Sequence, residues 1–92
     1  MKYIMFWEYS SGDHNVVMDK LNEYRGQVKK NPDQHAKFIG KNYTLVDGTE
    51  GFQLLETENP EHLVKITRHY LPEVSFRFAP IVELEKVDGK VK

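Results

Sequence analysis

Lys2-Tyr3-Ile4-Met5-Phe6-Trp7-Glu8-Tyr9 reads as a strand that is apolar on both sides. Tyr3, Met5, Trp7 and Tyr9 fall on one side, and Ile4 and Phe6 on the other. Near the other end, Val74-Ser75-Phe76-Arg77-Phe78-Ala79-Pro80-Ile81-Val82 does much the same. Successive side chains of a strand point to opposite faces, so such runs need cover on both. The chain has room for two helices, which cover one face of a small sheet. The simplest cover for the other face is a second copy of the protein, so a homodimer is expected.

Between these strands the pattern changes period. Ser10-Ser11-Gly12-Asp13 is turn chemistry, and Ser11 or Asp13 is placed to cap a helix. From His14 to about Lys30, Val17, Leu21, Tyr24 and Val28 recur at steps of four, three and four, one helical stripe with Met18 beside it. Lys29 and Lys30 suit the negative end of the helix dipole, and Asn31-Pro32-Asp33 ends the helix. A polar stretch, Gln34 to Lys37, leads to a second strand, Phe38 to Val46, interrupted by Gly40. Asp47-Gly48-Thr49-Glu50-Gly51 is a hairpin connection to a third strand, Phe52 to Thr57. Asn59-Pro60-Glu61 starts a second helix, with a capping Asn, a Pro that needs no N–H partner, and an acid at the positive end. Leu63, Ile66, Thr67 and Tyr70 form its inner stripe, and Pro72 stops it. The fourth strand runs from Val74 to Leu84, and Glu85 to Lys92 is a polar tail expected to fray.

The order β-α-β-β-α-β, with right-handed crossovers, predicts one α+β domain over residues 1–92. Its fold is the ferredoxin-like sandwich, a four-stranded antiparallel sheet of order 4-1-3-2 with both helices on one face. Pro80 agrees with an edge position for the fourth strand. The bulky set Tyr3, Met5, Trp7, Phe76, Phe78, Pro80 and Val82 is assigned to the helix side. The mixed set Ile4, Phe6, Glu8, Arg77, Ala79, Ile81 and Glu83 is assigned to the partner side, because charge is costly under packed helices and cheaper near an interface rim. Glu8 and Arg77 are expected to lie opposite each other as a cross-strand pair.

Composition excludes several classes. Ninety-two residues bury only roughly 60–65% of the surface their unfolded chain exposes. The absence of cysteine removes disulfides, thiolate metal sites and thiol nucleophiles, and fits a cytoplasmic location. No apolar run reaches ~20 residues, so no membrane span is expected, and Met1-Lys2 leads straight into a strand without an export segment. Thirteen basic against fourteen acidic residues leave a charge of -1, no basis for binding nucleic acid or anionic lipid. Sheet aromatics in this fold also serve RNA-binding modules. Here, however, Glu50 stands where a basic residue is expected before Gly51, and Leu54 where an aromatic is wanted.

Several segments carry a family likeness: Met1-Lys2-Tyr3-Ile4-Met5-Phe6-Trp7-Glu8, Gly51-Phe52, Glu58-Asn59-Pro60-Glu61, and Phe76-Arg77-Phe78-Ala79-Pro80-Ile81-Val82. In these the chain resembles the uncharacterised domain-of-unknown-function family numbered thirty-three-oh-three, one of the dimeric α/β-barrel, ferredoxin-like groups. The resemblance covers most of the chain and implies two sheets facing each other across a two-fold axis. Some members of the wider group are small monooxygenases without a conventional cofactor, haem-degrading enzymes or lactone isomerases. Fold-level likeness alone carries no catalytic residues over. A haem-degrading relative would combine Asn, Trp and His. Trp7 and His69 invite the comparison, but the first strand has no Asn.

The proposed topology gathers Trp7, Tyr9, His14, Tyr43, His69 and Tyr70 at one end. There a pocket between sheet and helices would have apolar walls and a few donors, the character of a small-molecule site. His69 is the best catalytic candidate, since imidazole titrates near pH ~6.5. The plainer alternative makes His14 and His69 solvent-facing helix-end residues and the tyrosines core. No metal or other cofactor is expected: His62 and His69 are seven residues apart on one helix, about 10 Å along its axis. The leading expectation is a homodimeric domain that binds a small apolar ligand. The rivals are a small cofactor-independent monooxygenase or isomerase using the Trp7/Tyr9/His69 end, and a regulatory or adaptor subunit of a larger enzyme.

Overall fold

A computed structural model describes residues 1–85. Its elements are β1 (Lys2–Glu8), α1 (His14–Lys30), β2 (Lys37–Thr44), β3 (Glu50–Glu56), α2 (Glu61–Tyr70) and β4 (Ser75–Ile81). The four strands form one antiparallel sheet of order β2-β3-β1-β4, and the architecture is the expected α+β, ferredoxin-like one. The tail anticipated from Glu85 lies, beyond that residue, outside the described residues.

Register decides which side chains meet the helices. Tyr3, Met5 and Trp7 stand opposite Leu55, Gln53 and Gly51 on β3, and opposite Pro80, Phe78 and Phe76 on β4. Met5 and Leu55 are buried with Val17 and Tyr24 of α1 and Ile66 and Tyr70 of α2. Tyr3, Trp7, Phe76 and Phe78 pack against that core. The bulky set is therefore the helix side, apart from Val82, which lies past the end of β4 and is exposed. Leu55 and Ile66 are almost completely buried, each contributing roughly 1.5–3 kcal/mol of apolar burial.

The opposite face is ordered in rows. Ile39, Leu54, Ile4 and Ala79 form one row across the four strands, and Tyr43, Phe52, Phe6 and Arg77 the next. Lys37, Glu56, Lys2 and Ile81 flank them at one end, and Glu50, Glu8 and Ser75 at the other. Neither helix covers this face. The expected Glu8–Arg77 pair does not form, because Arg77 falls opposite Phe6 and Glu8 opposite Ser75. The Arg77 guanidinium instead lies 4.2 Å from the centroid of the Phe6 ring, a cation–π contact worth about 0.5–1 kcal/mol at an exposed site.

Local chemistry explains the ends of the elements. Asn59 caps α2 as expected, its Oδ1 accepting the Glu61 N–H at 3.0 Å. No side-chain cap holds α1. A 3-10 turn, Ser11–Asp13, enters it instead, with the Asp13 N–H on the Ser10 carbonyl at 2.8 Å. In the hairpin, Gly48 adopts φ +80, and Asp47 Oδ1 accepts the Thr49 N–H at 3.0 Å. β2 is shifted against β3 between Ile39 and Tyr43, where Gly40 takes φ +69. The segment read as polar, Gln34 to Lys37, buries two of its residues, His35 and Ala36. Lys20 ties α1 to the α2–β4 connection, donating to the Leu71 carbonyl and to Glu73 Oε1, each at 2.5 Å.

Candidate functional site

The helix layer does not fill the space above the sheet. A cavity of about 260 Å³ remains between them. Its roof is the inner stripe of α1, chiefly Val17, Met18, Leu21 and Val28. Met5, Trp7, Phe38 and Phe76 form its apolar floor, and Ile66 and Tyr70 of α2 close one side. On β3, Gly51 leaves room for the Tyr43 carbonyl and the Trp7 ring, both of which a Cβ there would meet. Gln53, opposite Met5, is the polar residue in the middle of this otherwise apolar floor.

The polar groups on the wall are few. Trp7 Nε1 donates to Asn42 Oδ1 at 2.9 Å, which leaves the Asn42 amide hydrogens free. Gln53 Nε2 donates to the Gly40 carbonyl at 3.4 Å, which leaves Gln53 Oε1 as an acceptor. Tyr9 donates to the Gly48 carbonyl at 3.1 Å, and His14 Nδ1 lies 2.8 Å from the same hydroxyl. A carbonyl only accepts and a phenol has one proton, so that assignment makes His14 Nδ1–H the donor to Tyr9. Tyr24 is buried, and its hydroxyl has no partner. Burial pushes its phenol up to about 12. Tyr70 is also pushed up to about 12, chiefly by burial, with Tyr24 adding to the effect and Arg25 opposing it. Both phenols therefore stay neutral across the physiological range.

Of the residues singled out from the sequence, Trp7, Tyr9 and Tyr70 line the cavity. His14 stands behind Tyr9 as its hydrogen-bond partner. His69 lies behind the wall, its ring 5.2 Å from Tyr24 and 5.0 Å from Tyr70. Its Nε2 is 2.7 Å from the Lys20 carbonyl, which fixes the proton on that nitrogen. Tyr43 comes to the expected end of the sheet but on the other face, stacked on Phe52 with ring centroids 5.4 Å apart. Strand parity is the reason: Thr44 pairs with Gly51 on the helix side, so its neighbour Tyr43 points away.

Tyr24, Arg25, Asn42 and Gln53 complete the polar lining and were not singled out. Gln53 was readable in principle, since it shares parity with the apolar Leu55 in a strand whose helix side must be covered. Tyr24 was assigned only to the core stripe. Asn42 follows the shift at Gly40, which no pattern of apolar residues marks.

The lining holds no carboxylate, histidine, serine, threonine or lysine. Arg25 is the single charge on it. Such a wall orients a molecule through neutral donors and acceptors. Its hydroxyls are the phenols of Tyr9, Tyr24 and Tyr70. Among the described residues no three His, Asp or Glu side chains gather as metal ligands. No described helix is long and apolar enough to cross a membrane. No curated protein and no solved structure matches the chain. The family model described as Domain of unknown function (DUF3303) matches residues 1–92, and the chain belongs to that family.

Proposed function

We propose that this domain binds a small, largely apolar molecule between its sheet and helices. The cavity of about 260 Å³, walled by apolar and aromatic side chains with a few neutral polar groups, carries the reading. An apolar cavity of roughly 150 Å³ takes one benzene, so this one has room for a body of one or two rings. Binding is preferred to a monooxygenase or isomerase activity because His69, the base such chemistry would draw on, is engaged with the Lys20 carbonyl behind the wall. Trp7 is the chain's one tryptophan and lines the cavity, so its indole N–H is a single, assigned reporter. Titration of the labelled protein with 2-naphthol is expected to move that signal saturably. Leu21→Phe, which fills the roof, is expected to abolish the shift. No shift at millimolar probe, or one that Leu21→Phe leaves intact, would refute the reading.

The uncovered face supports a second copy of the chain as partner. Its two central rows are apolar apart from Arg77, and its outer rows carry Lys2, Lys37, Glu56, Glu8 and Glu50. An apolar centre with a charged rim is the anatomy of a protein interface. Sedimentation at low micromolar concentration is expected to give twice the chain mass, and Leu54→Glu, at the centre of the face, to give the monomer. A wild-type monomer would defeat the pairing.

A further inference from the structure

We propose that the molecule held in the cavity is an amphipathic carboxylic acid, its apolar body under α1 and its carboxylate on Arg25. The inference rests on the binding reading above and adds the chemical class. Arg25 lines the cavity and is exposed, so it stands where the cavity meets water. Among the described residues no carboxylate lies within ion-pair distance of it. Its neighbours one turn away on α1 are Leu21, Asn22, Val28 and Lys29, none of them acidic.

The lining therefore has a sign. No acid opposes the guanidinium anywhere on the wall, and Lys29 on the next turn adds to the same field. An anion entering the mouth meets attraction without a competing carboxylate. Arg matches a carboxylate with two parallel N–H donors, geometry a point cation lacks. Farther along the wall, the exposed Asn42 offers amide hydrogens and Gln53 a carbonyl oxygen, so a ring substituent can be read there without a second charge. A cation is disfavoured at the mouth. A wholly apolar ligand would gain nothing from the Arg25 guanidinium.

The test compares 2-naphthoate with the neutral, isosteric 2-naphthamide on the intact chain, read by the Trp7 indole signal. Naphthoate is expected to bind about two- to fivefold more tightly, as a charge-assisted contact at an exposed mouth predicts. Arg25→Gln, a change between good helix formers at an exposed position, is expected to erase the preference, so that the two probes bind the variant equally. In the unaltered protein, raising salt from about 0.05 M to about 0.5 M is expected to weaken naphthoate and spare naphthamide. Equal binding of the two probes, or a preference that survives Arg25→Gln, would overturn the carboxylate inference and leave the cavity reading standing. Failure of both probes to bind would overturn the cavity reading and this inference with it.

Discussion

Replacing Gly51 by alanine tests the packing that shapes the cavity. A Cβ there would overlap the Tyr43 carbonyl oxygen, sit 2.5 Å from Trp7 Cζ2 and 2.9 Å from the Thr44 Cα. Two of those three atoms belong to the backbone of β2, which is hydrogen-bonded to β3 and cannot step aside alone. Overpacking costs typically about 1–3 kcal/mol, and overlap with backbone puts this site at the upper end, about 3 kcal/mol. Against it stands the lower entropy of an unfolded chain with alanine in place of glycine, worth about 1 kcal/mol at most. The net loss is about 2 kcal/mol. For a domain of this size it lowers Tm by roughly 8–16 °C. Thermal melts followed by circular dichroism measure this directly. The indole signal of Trp7 is expected to shift as well, since the ring must leave the place that the new methyl takes. A Tm within about 2 °C of the parent, with the indole signal unmoved, would show that Trp7 does not rest on Gly51.

Gly26→Ala is the natural counterpart. Nothing lies within 4 Å of a Cβ there, and the position is inside α1, so a gain of about 1 kcal/mol and a rise in Tm of roughly 4–8 °C are expected in the same melts. Asn42→Ala removes the acceptor of the Trp7 indole N–H. It is expected to cost about 1 kcal/mol and to move the indole resonance, read from a spectrum and a melt of one sample. His35 is buried with Nδ1 unpartnered, and burial first, then the charges of Lys65 and His62, lowers its pKa. Its folded value lies below its unfolded one, so below pH ~6.5 the unfolded chain binds the extra proton. Stability is then full above that pH and falls as pH drops toward the folded value. Urea midpoints between pH 8 and pH 5 are expected to decline for the parent and to flatten in His35→Leu. Glu73 does not confuse that window. Its hydrogen bond from Lys20 holds its pKa below the ordinary carboxylate value, so its contribution is lost only at lower pH.

The elements were legible where one signal dominated. The stripe Val17, Leu21, Tyr24, Val28 set α1 at His14–Lys30, and Asn59-Pro60-Glu61 marked the start of α2. The element order β-α-β-β-α-β, taken with right-handed crossovers, led to the observed strand order. Details failed where two signals competed. The fourth strand ends at Ile81, since Val82-Glu83-Leu84 keeps alternating although β1, its partner, has run out at Lys2. His35 looked like part of a polar connection because its neighbours are polar. It is buried because the chain must pass beneath the end of α1 to enter β2, where it meets the Tyr24 ring edge-on at a centroid distance of 5.4 Å.

The site was harder to read than the fold for a physical reason. A strand or helix is written in what is present, a period of apolar side chains. This cavity has no such period: its lining comes from all four strands and both helices, and Gln53 and Asn42 stand in it as polar residues. Its volume is a difference between the bulk that three layers supply and the space their spacing encloses, and no single segment carries that difference. Trp7, Tyr9 and Tyr70 could be found because large aromatics at the end of a sheet announce a wall. Arg25 could not, because its place at the mouth depends on how far α1 stands from β2. That no carboxylate among the described residues pairs with it is a property of neighbours distant in sequence, and the chain's balanced net charge of -1 conceals it. Local sign, not total charge, decides what a cavity of this kind admits.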